Sequence, residues 1–331
     1  MKKFLFTFLA FCAAWHPVHS QDALFPENHL DLKHPITYQE MTAFLEKVES
    51  FKHIEITREG TSVENRDLFL VHLNRGEMQS SWRILLYGAQ HGDEPAGKDA
   101  LLYLIRYLAD NPRQLPPDVD LWIMPMVNPD GVARNQRRNG NGADLNRDHT
   151  LLSQPETQAL HRVFRLVMPH VAVDCHEFRR DSPGYHERGW LEWPKIKMDT
   201  ANHPLFDETV YQHGLSWIDH MSGVLEAAGH NFSRYVVGDA PPEGELRYST
   251  LDTDDGRNGL GAYGRLSFII ESGVRRSADD PNADLGLRVD AYLRIFHELM
   301  RSHEHRGKDL ENLATLRAKY EVPKFLPVNY F

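Results

Sequence analysis

Cysteine is scarce in this chain. Its 331 residues include two, Cys12 and Cys175. Cys12 falls in a segment expected to be cleaved, which excludes an intrachain disulfide from the mature protein. Positive charge is also in short supply. Lys and Arg number 37 against 47 Asp and Glu, a net −10 with histidine neutral, and nucleic acid is a poor partner for such a surface. No apolar run is long enough to span a bilayer comfortably, so stable membrane insertion is not expected. Internal repeats and low-complexity tracts are missing too. What is present is ordinary globular composition, 41% hydrophobic and 25% charged, sufficient for one large domain or two small ones.

The N-terminus reads as a leader. "MKKFLFTFLAFCAAWHPVHSQ" has two lysines, an apolar run and small residues at Val18 and Ser20. That is the layout of a secretory signal peptide, residues 1–20, cleaved after Ser20. A lipid anchor on Cys12 is disfavoured by Phe11, which stands where a small residue would be needed. Cleavage removes Lys2 and Lys3 and no acids, so 35 basic residues face 47 acidic ones and the mature charge is −12. The expected location is the periplasm or the extracellular space of a bacterium.

Further along, buried-looking strands alternate with helices. "SWRILLYGAQ", "DLWIMPMVNPDG", "HVAVDCHE" and "GRLSFIIESG" are continuous apolar strands of the kind covered on both faces. "HIEITREGTSVENRDLFLVHLN" reads as two strands around a turn. Helical spacing marks "HPITYQEMTAFLEKVESF", "EPAGKDALLYLIRYLAD", "ETQALHRVFRLVMP" and "LGLRVDAYLRIFHELMRSHEH". The alternation predicts a single α/β domain over residues 21–331, with a central mixed, largely parallel twisted sheet flanked by helices. Ligands of such sheets sit beyond the carboxyl ends of the strands. His91 and Glu94, Asn128–Asp130, His176 and Glu271 all follow or end such strands.

His91 and Glu94 form an H-x-x-E pair, and His176 ends another apolar strand. Two imidazoles and one carboxylate suit a catalytic zinc that keeps a fourth position for water. Taken alone, an H-x-x-E is weak evidence in a chain with 19 histidines. The polar stretch "NPDGVARNQRRNGNGADLNRDH" adds weight, because a long polar loop straight after a buried strand is often functional. Its Arg137, Arg138 and Arg147 suit a carboxylate or an oxyanion, since a guanidinium fork serves both.

With "HGDE" at 91–94, "NPDG" at 128–131, "RRNGNGADLNR" at 137–147, "DCHE" at 174–177 and "SFIIES" at 267–272, the sequence resembles the zinc metallocarboxypeptidases of the carboxypeptidase A-like family. The likeness covers about residues 36–300, with the motifs in order. It implies one Zn2+ per chain held by His91, Glu94 and His176. It further implies that Arg137 polarises the scissile carbonyl and that Asn146 and Arg147 grip the substrate's terminal carboxylate. Asp144 would orient the first zinc histidine, and Glu271 would be general base and proton shuttle. Tyr248 is the nearest candidate for the tyrosine that covers the substrate, with Tyr263 as the other. An acid after "LSFII" is costly to bury unless paired or functional.

Three positions depart from the digestive members of that family: Asp93 between the ligands, Asp148 after "NR", and Glu177 after the third ligand. They place extra charge around the metal. In "LRYSTLDTDDGRNGLGAYGR", Asp252, Asp254 and Asp255 suit a basic group, Arg257 and Arg265 an acidic one, and a solvated loop of mixed charge fits equally. "RRDSPGYHERGWLEWPKIKMDTANHP" reads as a long covering loop that contains Trp190 and Trp193. The implied activity is hydrolysis of the C-terminal peptide bond of peptides with a free carboxylate. A periplasmic carboxypeptidase or amidase acting on muropeptides is a close alternative. An N-acyl amino acid deacylase resembling succinylglutamate desuccinylase is a third reading, and the leader counts against it.

Overall fold

The strands are two to nine residues long. They are β1 Ile54–Thr61, β2 Asp67–Leu73, β3 Trp82–Gly88, β4 Val119–Met124, β5 Val171–Arg179, β6 Ile196–Thr200, β7 Phe232–Arg234 and β10 Leu266–Val274, with the short β8 Val236–Val237 and β9 Arg247–Tyr248 between the last two. Helices are α1 Tyr38–Val48, α2 Pro95–Asp110, α3 Pro129–Arg134, α4 Pro155–Val167, α5 Glu208–Ala227, α6 Gly256–Gly261 and α7 Leu285–Arg301. The computed structural model describes residues 34–79, 81–179, 195–237, 247–248, 251–274, 280, 282 and 284–302. Residues 1–20, Trp190 and Trp193 lie outside them. Among the described residues no helix is long and apolar enough to cross a membrane.

Eight strands make one mixed sheet in the order β1-β2-β4-β3-β5-β10-β6-β7. Its centre is parallel: β3 pairs with β4 and β5, and β5 pairs with β10. The hairpin β1–β2 and strand β6 add antiparallel edges. All four central strands therefore end on one edge, as the alternation of strands and helices predicts.

Two apolar layers cover the sheet. On one face Leu101, Leu104, Ile105 and Leu108 of α2, Trp217 and Met221 of α5, and Val289, Tyr292 and Phe296 of α7 pack on Ile84, Val173 and Phe268. On the other, Leu160, Val163 and Phe164 of α4 and Leu260 of α6 meet Leu85, Tyr87 and Ala172. Thr37 and Glu40 close a capping box at the start of α1, which satisfies two otherwise orphaned amides.

Several elements differ from the sequence reading. The stretch expected to be a covering loop contains β6, whose five residues are all buried in the sheet. The 20-residue α5 is a further layer element. After β4 the chain enters α3 rather than a simple turn, with Asn128 as N-cap bonded to the Gly131 amide. The expected loop after α2 holds a short 3-10 turn at Pro112–Gln114.

A polar seam interrupts the second layer. His149 and His161 are buried, with Nδ1 of the first 3.0 Å from Nε2 of the second. Burial pushes His149 well below the ordinary histidine range, aided by His161. Burial likewise brings His161 down to about 4 from 6.5. Above pH 6.5 neither the folded nor the unfolded form of His161 is protonated. Between 6.5 and about 4 the unfolded chain takes up a proton that the folded chain refuses. Stability then falls as the pH falls, by up to about 3 kcal/mol. Urea unfolding at pH 7 and pH 4.5 should show this drop, and His161→Gln should lessen it. Equal pH dependence in the two proteins would refute the assignment.

Candidate metal centre and substrate cleft

β3 ends at Gly88, and the next residues turn across the sheet edge. His91 and Glu94 lie in that turn, and Pro95 starts α2 directly behind them. In β5, Asp174 and His176 project to the same face, because side chains alternate along a strand. Parallel register places Glu271 of β10 opposite His176. Three distant stretches of sequence thus converge through sheet pairing.

The nitrogen and oxygen donors of His91, Glu94 and His176 form a buried cluster. His91 Nδ1 is 2.8 Å from Glu94 Oε1, His176 Nδ1 is 2.9 Å from Glu94 Oε2, and the two Nδ1 atoms are 3.0 Å apart. The outer nitrogens are backed by acids. His91 Nε2 meets Asp144 Oδ1 at 3.0 Å. His176 Nε2 lies 2.9 Å from Asp174 Oδ1, an ion-pair distance that leaves neither atom a well-aligned hydrogen bond. Acids behind both Nε2 atoms favour the tautomer with its hydrogen there. Two Nδ1 lone pairs then face each other and a carboxylate, an arrangement that calls for a cation.

The titration directions agree with that demand. Burial works against the Glu94 charge, but His91 and His176 overcome it and hold the carboxyl well below its usual range. Burial also opposes protonation of His176, yet Asp174 and Glu94 hold its pKa well above the ordinary value. His91 is raised in the same way, by Glu94 and Asp144 against burial. Nitrogen and carboxylate donors in this ratio fit zinc.

Asp144 serves three neighbours. Beyond His91, its Oδ2 accepts from Arg137 Nε at 2.9 Å. Its Oδ1 also accepts from the Asn146 amide at 3.1 Å, which starts the 3-10 turn Leu145–Arg147. Arg137 Nη1 lies 3.1 Å from His91 Nδ1. The Gly256 amide donates to Asn146 Oδ1 at 2.6 Å, which leaves the amide NH2 of Asn146 as the end available to a carboxylate.

A cleft of about 330 Å³ opens on this edge, bordered by His91, Glu94, Arg137, Asn146, Arg147 and Glu271. Glu271 is 7% exposed, and its Oε2 meets no hydrogen-bond donor among the described residues. Burial pushes its carboxyl up to about 7, against the pull of His176 and with help from Glu94. Lys197 of β6 pairs across from Glu271 and rests its ammonium 4.0 Å above the Phe178 ring.

Tyr248 belongs to β9, paired with Val236. Tyr263 packs its ring on Phe164 with centroids 5.0 Å apart, in the second apolar layer. Among the described residues the tyrosine that borders the cleft is Tyr235. Glu271 beside it, together with burial, raises its hydroxyl pKa far above the ordinary value. Nothing in the local sequence marks Tyr235. Asp174 had a readable signal, two residues before His176 on one strand face.

Glu177 and Asp148, two of the three extra acids, have internal partners. Glu177 borders the cleft but is bonded to Arg288 of α7 and, at 3.1 Å, to Ser272 Oγ. Its amide holds Glu94 Oε2 at 3.0 Å. Asp148 accepts from the Ser153 and Gln154 amides and so shapes the entry to α4. Asp255 caps α6 and pairs with Arg257, which also reaches Asp199. Arg257 is therefore bound to internal acids.

Comparison with known proteins agrees with the arrangement. Residues 41–165 match the family model described as Zinc carboxypeptidase. The match includes His91, Glu94, Arg137, Asp144, Asn146 and Arg147 and stops short of His176 and Glu271. Carboxypeptidase 2 of Trichophyton rubrum is 27% identical over 243 residues, which cover 72% of this chain and 43% of that protein. Carboxypeptidase 2 of Trichophyton tonsurans is 30% identical over 196 residues, covering 57% and 36%. The chain thus spans about two-fifths of the length of these fungal relatives. A metallo-carboxypeptidase from Burkholderia cenocepacia shares the fold, with a TM-score of 0.62 at 19% identity over 81% of this chain and 70% of that one. A carboxypeptidase A from Helicoverpa armigera does so at 0.61 and 15%, over 89% and 78%. The chain is thus similar to the zinc carboxypeptidase family over residues 41–165 and to these two fungal carboxypeptidases.

Proposed function

We propose that this chain is a zinc-dependent metallocarboxypeptidase that releases the last residue of peptides ending in a free carboxylate. One juxtaposition carries the reading: His91 and Glu94, the buried Glu271 carboxyl and the guanidinium groups of Arg137 and Arg147 border a single cleft, with His176 joined to the first two in one donor cluster. Zinc, when held by the three donors, supplies a Lewis acid that draws the pKa of water toward neutrality.

The remaining steps belong to the chain's own side chains. Arg147 and the Asn146 amide donors bind the terminal carboxylate through charge-assisted hydrogen bonds. Fixing that end limits cleavage to the last peptide bond. Arg137, held at the donor cluster by Asp144, stabilises the oxyanion that forms on the scissile carbonyl. Glu271 takes the proton of the attacking water and delivers it to the leaving amine.

The decisive substrate pair is a peptide with a free C-terminus and the same peptide with a C-terminal amide. The amide should lower kcat/KM by roughly 10- to 100-fold, the value of a hydrogen-bonded charge. Arg147→Ala should abolish most of that difference by harming only the free acid. Muropeptides and N-acyl amino acids complete the panel. Faster cleavage of acylated single amino acids than of any peptide would sink the carboxypeptidase reading.

A further inference from the structure

Behind the cleft, a chain of hydrogen-bonding groups runs from the metal ligands into the α4 layer. Gln90 Nε2 lies 2.7 Å from Asp174 Oδ2, the acid whose other oxygen faces His176. Gln90 Oε1 lies 2.8 Å from His149 Nε2. His149 Nδ1 is 3.0 Å from His161 Nε2, and His161 Nδ1 is 3.3 Å from the Tyr263 hydroxyl. Gln90, Asp174, His149 and His161 are all buried.

The donors in this chain follow from elementary chemistry. An ionised carboxylate only accepts, so the Gln90 NH2 must face Asp174. The Gln90 carbonyl then faces His149, whose Nε2 must carry hydrogen. A neutral imidazole has one N–H, so His149 Nδ1 accepts and His161 Nε2 donates. His161 Nδ1 is left to accept from Tyr263. Burial keeps both rings neutral. Every hydrogen therefore points inward, toward Asp174.

Close packing holds the centre of the chain in place. A Cβ on Gly256 would lie 2.4 Å from Asp174 Oδ2 and 2.8 Å from Gln90 Nε2, so the first turn of α6 closes over both groups. Gln90 Nε2 also lies 3.4 Å from Asn146 Oδ1, which ties the same amide to the substrate side.

We infer that His149 and His161 are positioning residues for the metal ligand His176, acting through Gln90 and Asp174. Without the His149 donor, the Gln90 carbonyl is buried with no partner there, and the amide loses the contact that fixes its oxygen end. Turning over brings no relief, because the oxygen would then face the Asp174 carboxylate. A loosened Gln90 is a poorer donor to Asp174, and His176 loses part of the support of its neighbouring acid. Partners of this kind, one step removed from a ligand, typically govern metal affinity by 10- to 100-fold. The inference rests on the metal-centre reading above, and the test separates the two.

The experiment is zinc competition against a chromogenic chelator for wild type, His149→Leu and His149→Gln, together with ring 15N NMR of the zinc-loaded wild type at pH 7. Both histidines should appear as neutral Nε2–H tautomers. His149→Leu should weaken zinc binding by about 10- to 100-fold, and His149→Gln, which retains a donor near Nε2, should recover most of that loss. A bare structural role would lower the melting temperature of both variants without this split in affinity. An Nδ1–H tautomer at either ring overturns the inference, and that measurement needs no variant. A folded Leu variant that holds zinc as wild type does also overturns it. A wild type that binds no zinc would instead overturn the metal reading.

Discussion

Glu271→Gln should lower kcat by about 10²- to 10⁴-fold, the usual contribution of a positioned general base, while KM and bound zinc stay near wild-type values. The amide is close to the carboxyl in size, so the apolar strand around it need not repack. It cannot accept a proton and release it again. Glu271 sits on β10 opposite His176 and borders the cleft, within reach of both a ligand and a substrate. Its pH signature is specific. Burial raises the carboxyl from 4.5 up to about 7, and a bound dication pulls the value back toward the acid side. The base must be ionised to work, so activity is lost as the pH falls through a limb lying between those two values. That limb should vanish from the residual rate of the Gln variant. An enzyme that keeps more than half of wild-type kcat after this substitution would end the assignment of Glu271 as base.

Stripping the metal should cost still more. Dialysis against a strong chelator should reduce turnover by at least roughly a thousandfold, the equivalent of several kcal/mol of charge stabilisation. One zinc per chain should restore it. The metal-free cluster has a further property. Glu94 and the acids behind His91 and His176 hold both imidazole pKa values above their ordinary level. Near neutral pH the empty cluster therefore takes up protons that zinc must displace. Calorimetric titration with zinc in two buffers of different ionisation enthalpy should register net proton release. Undiminished hydrolysis by rigorously metal-free protein would remove the basis of the proposed function.

Much of the centre was legible because of where polar residues interrupt apolar strands. "VDCHE" and "SFIIES" put acids and an imidazole where a buried strand should have none, and the ends of parallel strands share one edge. His91, Glu94, His176, Arg137, Asp144, Asn146, Arg147 and Glu271 follow from that logic together with the family likeness; six of them border one cleft, and His176 and Asp144 meet His91. β6 was hidden for the opposite reason. In "IKMDT" the polar Lys197 and Asp199 are as buried as Ile196 and Met198. Their partners, Phe178 for Lys197 and Arg234 with Arg257 for Asp199, are distant in sequence, so local pattern reads as loop. α5 had a visible code in Ile218, Met221 and Leu225 behind an Asp207 cap. The histidine chain behind Asp174 had none, since contacts between residues 90, 149, 161 and 263 exist only once the layers close.

The pairing of Glu271 with His176 has a consequence for how such a protein can change. The two residues stand opposite one another on paired strands, whose spacing, about 4.8 Å, is common to all sheets. No hinge or surface segment sets that gap, and none can retune it. Diversification of what this scaffold accepts must therefore be written into the walls and rim of the cleft. The interval between its reactive groups is inherited unchanged, as a property of the architecture.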